Sequence, residues 1–480
     1  MFSRKSRISY FISTILLLLN VSAKAQQKLW TLSVCIDRAL AENISLKEAK
    51  VNNTLYHINY IQSKANALPN LNLAASQSFL SQQTYNDATN AYSQNALNTN
   101  AFGLNSTITI FNAFKIKNTL KQNKLNVDAG ELDVQKQAND LILNVIAAYM
   151  LVLSDYEALD IAKAQVLIST DHLSYTEKYV KAGSLPESNL LQMQAQLAAD
   201  NSAVTEAGNQ LSLAKLNLMQ LLELPFDKNF ELQRPDTVWH DPIQFYEPES
   251  IYAKAVQQMP EVKSANIKTN AANFGLKVAR SELWPKLTLN AGLNTNYNSA
   301  ASLLTYQTTT SLEQIGYLQS NPSQVVLGNV TKTTTGNNYY PFNKQLSDNL
   351  VKGLTLNLNV PIFNNALYKA DIQRAQENKD YAELNESLVK NQLRKNIETA
   401  YADLLAASKT FASARLQLLY QERSYHDIEV KFKFGAINTT DLFVEKNNLA
   451  KAKLNFSQAK FQYLFKAKIL AFYVGEKITD

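Results

Sequence analysis

The sequence predicts a mostly α-helical chain with a transmembrane β-barrel portion: long antiparallel helical hairpins (an α-barrel) plus four β-strands per chain. Three observations predict it. From Ala366 to Phe434 there is no Gly and no Pro, and from Lys115 to Lys181 no Pro and only Gly130. At 1.5 Å rise per residue such runs form helices of about 100 Å, far beyond the roughly dozen residues of an ordinary globular helix. Four shorter runs alternate between apolar and polar side chains, strictly so over Leu354 to Ile362, the period of a strand. The chain is also duplicated internally, so that each of these elements occurs twice.

At the start, Arg4, Lys5 and Arg7 precede an apolar run from Ile8 to Val21 and an Ala23-Lys24-Ala25 cleavage pattern. This predicts a secretory signal peptide over 1–25; the apolar run is short and wrongly flanked for a spanning helix. Arg4, Lys5, Arg7 and Lys24 would leave with it. The formal charge of +6 then falls to about +2, with no basic surplus of the kind nucleic-acid binders carry. Cys35 is the single cysteine, so no internal disulfide supports the fold. It follows Leu32-Ser33-Val34, which is not a lipid-attachment pattern, and reads as a buried helix residue. Outside the signal no window reads as apolar enough to span a bilayer as a helix; Leu141 to Leu153 reads as packed helix.

Two shifts expose the duplication. A shift of 216 places Ala39 on Ala255, Lys47 on Lys263, Pro69 on Pro285, and Leu71 and Leu73 on Leu287 and Leu289. A shift of 252 places Phe111-Asn112 on Phe363-Asn364, Ala148-Tyr149 on Ala400-Tyr401, and Gly183 on Gly435. The second half therefore carries an insert of 36 residues between its Pro and its Phe-Asn. The first structural repeat is 26–224 and the second 249–480. The connector 225–248 holds Pro225, Pro235, Pro242 and Pro248 and reads as irregular chain.

Within each repeat a helix comes first, about Ser33 to Leu68 and Glu249 to Trp284. Pro69 and Pro285 end these helices, since Pro cannot continue one and biases the preceding residue toward extended backbone. Strands follow: Leu71, Leu73 and Ala75; Phe102, Leu104, Ser106, Ile108 and Ile110; Leu287, Leu289, Ala291 and Leu293; Leu354, Leu356, Leu358, Val360 and Ile362. Asn and Thr dominate the alternate positions. Each run has the length of a tilted membrane strand, with one face for lipid and one for a wet lumen. Polar surface loops are expected at Ser81–Asn100 and Asn294–Asp348. The long helices then run to Gly183 and Gly435, where the chain must reverse, and helices return over Glu187–Leu224 and Thr439–Val474.

A barrel in lipid must close, and single-chain barrels have at least eight strands. Four strands cannot close alone, so several copies must share one barrel. Two copies give eight strands and a filled interior; three give twelve and leave a lumen.

His57, His172, His240 and His426 are dispersed, without zinc-ligand spacing, and no nucleophile elbow, P-loop or dinucleotide fingerprint appears. Neither an enzyme nor a cofactor is expected. The rival expectation is a structural or adhesive coiled-coil protein without a pore.

Taken together, the duplication, the helix-to-strand junctions Pro69 and Pro285, the exit Pro361-Ile362-Phe363-Asn364, the Ala-Tyr pairs, and the turns Ala182-Gly183-Ser184-Leu185 and Phe434-Gly435-Ala436-Ile437 resemble the TolC-like outer-membrane efflux family over nearly all of the chain. The resemblance implies a homotrimer with a twelve-stranded barrel in the outer membrane of a diderm bacterium and a helical tunnel in the periplasm. It implies docking to a periplasmic adaptor protein of an inner-membrane transporter through the tips Gly183, Ser184, Leu185 and Gly435, Ala436, Ile437. It also implies an acidic ring at the periplasmic aperture. Asp441, six residues after Gly435, matches the family's first Asp; the second position is Val444, and the counterpart of Asp441 in the first repeat is Asn189. Asp441 reads equally as a helix N-terminal acid favoured by the macrodipole.

Overall fold

The structure is a computed structural model and describes residues 29–87, 90–234 and 247–476. The expected signal peptide, with Pro235, Pro242 and His240 of the connector region, lies outside the described residues. The order of elements is α1 (Leu32–Glu42), α2 (Ile44–Ala65), β1 (Asn72–Asn86), β2 (Ala91–Phe111), α3 (Lys115–Lys181), α4 (Glu187–Leu221), α5 (Pro248–Gln258), α6 (Pro260–Ser281), β3 (Lys286–Asn298), β4 (Ser302–Leu318), β5 (Asn321–Tyr339), α7 (Phe342–Asp348), β6 (Val351–Asn359), α8 (Leu367–Lys433) and α9 (Thr439–Val474). The order runs two short helices, two strands and a long hairpin, then two short helices, β3 and β6 with β4, β5 and α7 between them, and a second long hairpin.

Three expectations need correction. The first helix of each repeat is broken, at Asn43 between α1 and α2 and at Met259 between α5 and α6. Both residues leave the helical backbone region. Pro260 explains the second break; at the first, the Asn43 side chain caps the new helix by accepting from Leu46 N at 3.2 Å. The segments expected as loops are largely strand. β1 and β2 pair out to Asn86↔Ala91, and the insert forms a separate hairpin, β4–β5, and the short helix α7. The expected four strands per chain are those of the larger sheet, and β4–β5 adds two. Finally, α3 does hold a window long and apolar enough for a spanning helix by length and composition. Its side chains Val145, Ile146, Tyr149, Met150, Val152 and Leu153 lie in a core, so that apolarity serves packing.

The described chain falls into two compact units, each drawing on both repeats. The first comprises the described residues within Met1–His57, Leu125–Asn270 and Asp380–Asp480. It holds two cores that the duplication relates. Cys35, Ala39, Leu46, Leu141, Val145, Val152 and Leu218 are buried in one; Ile251, Ala255, Val262, Leu393, Ile397, Leu404 and Leu470, the same repeat positions, are buried in the other. The first core is further closed by a clasp. Trp30 bridges Leu232, its ring meets Phe230 at 5.5 Å, and the buried Tyr149 hydroxyl donates to Gln233 O at 2.8 Å. Cys35 is fully buried, and burial pushes its thiol up to about 12, so it is inert.

The second unit comprises Ile58–Lys124 and Ala271–Lys379. Its main sheet has the order β1-β2-β3-β6, antiparallel throughout. The strand-to-helix exits repeat an unusual corner. Ala113 and Phe114 have φ of 49° and 63°, and their counterparts Asn365 and Ala366 have 55° and 61°. None is glycine, so both corners hold backbone strain. Asn112 O and Asn364 O accept from Lys115 N and Leu367 N to start the helices.

Candidate functional site

The strand register sorts the main sheet into two chemically opposite faces. Residues paired across strands share a face. Leu73 pairs with Leu104, Leu104 with Leu293, Ile108 with Leu289, Leu289 with Leu356, and Leu287 with Leu358. This apolar face is open: Leu73 and Leu354 are each 77 % exposed. Among the described residues no core covers it, as would suit contact with lipid. At the hairpin end of the same face Phe102, Tyr297 and Phe342 of α7 form an aromatic cluster, with centroids at 5.0 and 6.4 Å from Phe342. Buried Gln345 fixes α7 there, bonded to Asn298 and Tyr340.

The opposite face is polar. Asn72 pairs with Asn105, Thr107 with Asn290, Thr109 with Thr288, and Thr288 with Asn357. Thr107 Oγ1 donates to Asn290 Oδ1 at 2.7 Å. Gly103 and Gly292 make room for carboxamides: a Cβ on Gly103 would sit 2.7 Å from Asn294 Oδ1, and one on Gly292 2.8 Å from Asn105 Oδ1. Among the described residues the outer edges of β1 and β6 have no strand partner.

Pro69 and Pro285 lie just before β1 and β3. Each follows a turn closing its helix, with Leu68 N to Ala65 O at 2.9 Å and Trp284 N to Ser281 O at 3.2 Å. Asn70 then enters the sheet edge, its side chain accepting from Thr107 N at 2.7 Å.

In the first unit the two hairpin tips share one geometry. Gly183 and Gly435 have φ of 71° and 70°. Ser184 N reaches back to Tyr179 O at 2.8 Å and Ala436 N to Lys431 O at 2.9 Å, so both long helices end in Schellman turns. Ser184, Gly435 and Ala436 are exposed, and Leu185 and Ile437 half-buried. Phe434 at the second tip is 84 % exposed. Asp441 is exposed in the first turn of α9, and its N–H donates to the Asn438 side chain at 2.8 Å. Asn189 is half-buried in the first turn of α4, its N–H donating to Pro186 O at 3.1 Å. No hydrogen bond joins Asp441 to Asn189 among the described residues; the tips are linked instead by Thr439 to Gln192 at 3.1 Å and Tyr175 to Lys433 O at 3.3 Å.

Above the tips lies a cluster that the sequence reading missed. Lys446 of α9 is completely buried and bonded to Asp200 of α4 and Ser169 of α3, which bond each other. Gln196 donates to the other Asp200 oxygen at 2.9 Å. Burial pushes the Lys446 amine down, and Asp200 partly opposes this. The duplication gives no hint of the cluster, because its counterparts are Gln194, Gln421 and Ala452. One turn beyond Ser169, buried His172 faces the Tyr425 hydroxyl at 3.3 Å and the edge of Phe432; desolvation holds it below the ordinary histidine value. Among the described residues no three His, Cys, Asp or Glu side chains are placed to hold a metal ion.

Comparison with known proteins agrees with this layout. The outer membrane efflux protein BepC of Brucella suis biovar 1 is 19 % identical over 382 residues, 80 % of this chain and 73 % of its own length. The cation efflux system protein CusC of Escherichia coli K12 is 25 % identical over 272 residues, 56 % of each chain. The CmeC outer membrane channel of Campylobacter jejuni has the same fold, with a TM-score of 0.74 at 18 % identity over 94 % of this chain and 87 % of its own. The profile of the outer membrane efflux protein family matches residues 35–223 and 251–476, its two stretches falling one on each structural repeat, and the chain therefore belongs to that family.

Proposed function

We propose that this chain is the outer-membrane exit duct of a tripartite efflux or type I secretion system, working as a homotrimer. The observation that carries the reading is a four-stranded sheet with one lipid-compatible face, one polar face and two edges unpaired among the described residues. Backbone edges are not tolerated in hydrocarbon. Pairing β6 of one copy with β1 of the next removes them, and three copies give twelve strands around a lumen wide enough for cargo. The two repeats, 26–224 and 249–480 with 225–248 between them, each supply two strands and one long hairpin to the wall.

In this reading the helices form a periplasmic tunnel, and the tips Gly183–Leu185 and Gly435–Ile437 dock a periplasmic adaptor joined to an inner-membrane transporter. The transporter supplies the energy and the duct conducts passively. Asp441 of each copy rings the aperture with negative charge, and Asn189 stands at the matching position of the other hairpin. The cleaved signal delivers the chain for outer-membrane assembly. A pore-free coiled-coil role finds no support in a sheet of this kind.

The test is purification from the outer membrane. A heat-modifiable trimer that conducts ions in planar bilayers is expected, together with increased sensitivity of a deletion strain to compounds the partner transporter handles. A water-soluble monomer would refute the reading.

A further inference from the structure

Among all residues of the four main-sheet strands only two side chains are charged, Lys286 in β3 and Lys352 in β6. The register sets them on opposite faces and at opposite ends. Lys352 pairs with Leu293, on the apolar face and toward the hairpin end. Lys286 pairs with Asn359 at the helix end, in line with Thr288 and Asn290 of the polar face. Lys286 is exposed. It lines a cavity of about 390 Å³ where α2, β2, α3, α6 and β3 meet, with Asn66, Thr109, Asn112 and Thr119 among the walls. The cavity's other charges are Lys115 and Glu282, and these bond each other. Among the described residues Lys286 is thus its one uncompensated charge, set among neutral hydrogen-bonding groups that neither cancel nor compete with it.

We infer that Lys286 is a selectivity residue of the duct, a site for the carboxylate or phosphate groups of passing cargo. The inference rests on the shared-barrel reading: repeated in every copy, Lys286 rings the helix-side mouth of the barrel with positive charge. Rings of Lys or Arg favour anions in pores, and the attraction weakens with salt because the site is wet. The remainder of the polar face is charge-free, so this ring sets the sign of the barrel's preference. The acid of the hairpin tips, Asp441, lies in the other unit and would act as a separate element.

The experiment is the chloride-to-potassium permeability ratio of the full-length oligomer in planar bilayers under a KCl gradient. K286E is expected to lower the ratio by about twofold or more, K286Q by less, and K286R to preserve it. K352E, on the opposite face, is expected to leave it unchanged. Unheated gels confirm that each variant still assembles, and K286Q serves if K286E does not. An unchanged ratio in an assembled K286E or K286Q, or an equal change in K352E, overturns the inference while leaving the duct standing. A folded wild-type protein with no conductance overturns the shared-barrel reading, and the inference with it.

Discussion

Replacing Lys446 with Met is the most informative single perturbation of the helical unit. Met fits the aliphatic stem of the lysine, so little packing is lost; what changes is the charge at the centre of three helices. Lys446 has no exposed surface and Asp200 only 7 %, so the aspartate would be left buried without its cation. Breaking a buried pair from one side costs about 3–5 kcal/mol. Ser169 and Gln196 would still donate to Asp200, which places the cost near the lower end. The double variant Lys446→Met with Asp200→Leu removes both charges and is expected to recover most of the loss, because a buried ion pair contributes little over an apolar replacement. Guanidinium unfolding followed by helical circular dichroism, at fixed protein and detergent concentration, measures both. A single variant within about 1 kcal/mol of the parent would refute the reasoning, since it would mean that water reaches Asp200. So would a double variant no better than the single one, which would mean that the cost lies in packing.

Two further outcomes are expected. His172 has its pKa lowered by burial from the ordinary 6.5; Tyr425 and Phe432 touch it, and Glu429, Lys433, Lys446 and Asp171 contribute charge nearby. Below pH 6.5 the unfolded chain takes up the proton first, so stability falls with pH until the folded value is passed. H172Q should flatten that part of the denaturation midpoint against pH, and identical slopes would count against it. At the strand-to-helix corner, Ala113 has φ 49°, so A113G should relieve about 1 kcal/mol of left-handed strain and raise the thermal midpoint; a lower midpoint would mean that the methyl packs more than it strains.

The architecture was legible where it rests on punctuation and period. The alternation of Leu354, Leu356 and Leu358 falls in β6, and the long helices α3 and α8 stop just before glycines of positive φ. The β4–β5 hairpin escaped because Thr308, Thr310, Thr331 and Thr333 give it no apolar face to alternate; its regularity lies in backbone pairing and cross-strand hydroxyl contacts. Pro260 lies inside the helix expected over Glu249 to Trp284, and its ring breaks that helix into α5 and α6. The matching break at Asn43 has no proline and depends on a side-chain cap. The buried trio was hidden for a different reason. On one helix a lysine, an aspartate or a serine looks like a solvated surface residue, and only the crossing of three helices removes the water. The left-handed corners at Ala113 and Asn365 have no glycine to announce them. Sequence singled out Asp441 and Asn189 by position; Lys286 gave no signal there, and only the strand register sets it on the polar face.

On the polar face, Asn105 and Asn294 each occupy the space beside a glycine of the neighbouring strand, Gly292 and Gly103 respectively. Bulk on one strand is matched by a hollow on the other, like two interlocking keys. Positions 103, 105, 292 and 294 are therefore not independent sites: a larger residue at either hollow requires a smaller one at the facing projection. They should change together through evolution, and an engineer who wishes to narrow or widen this stretch must alter them as a set of four.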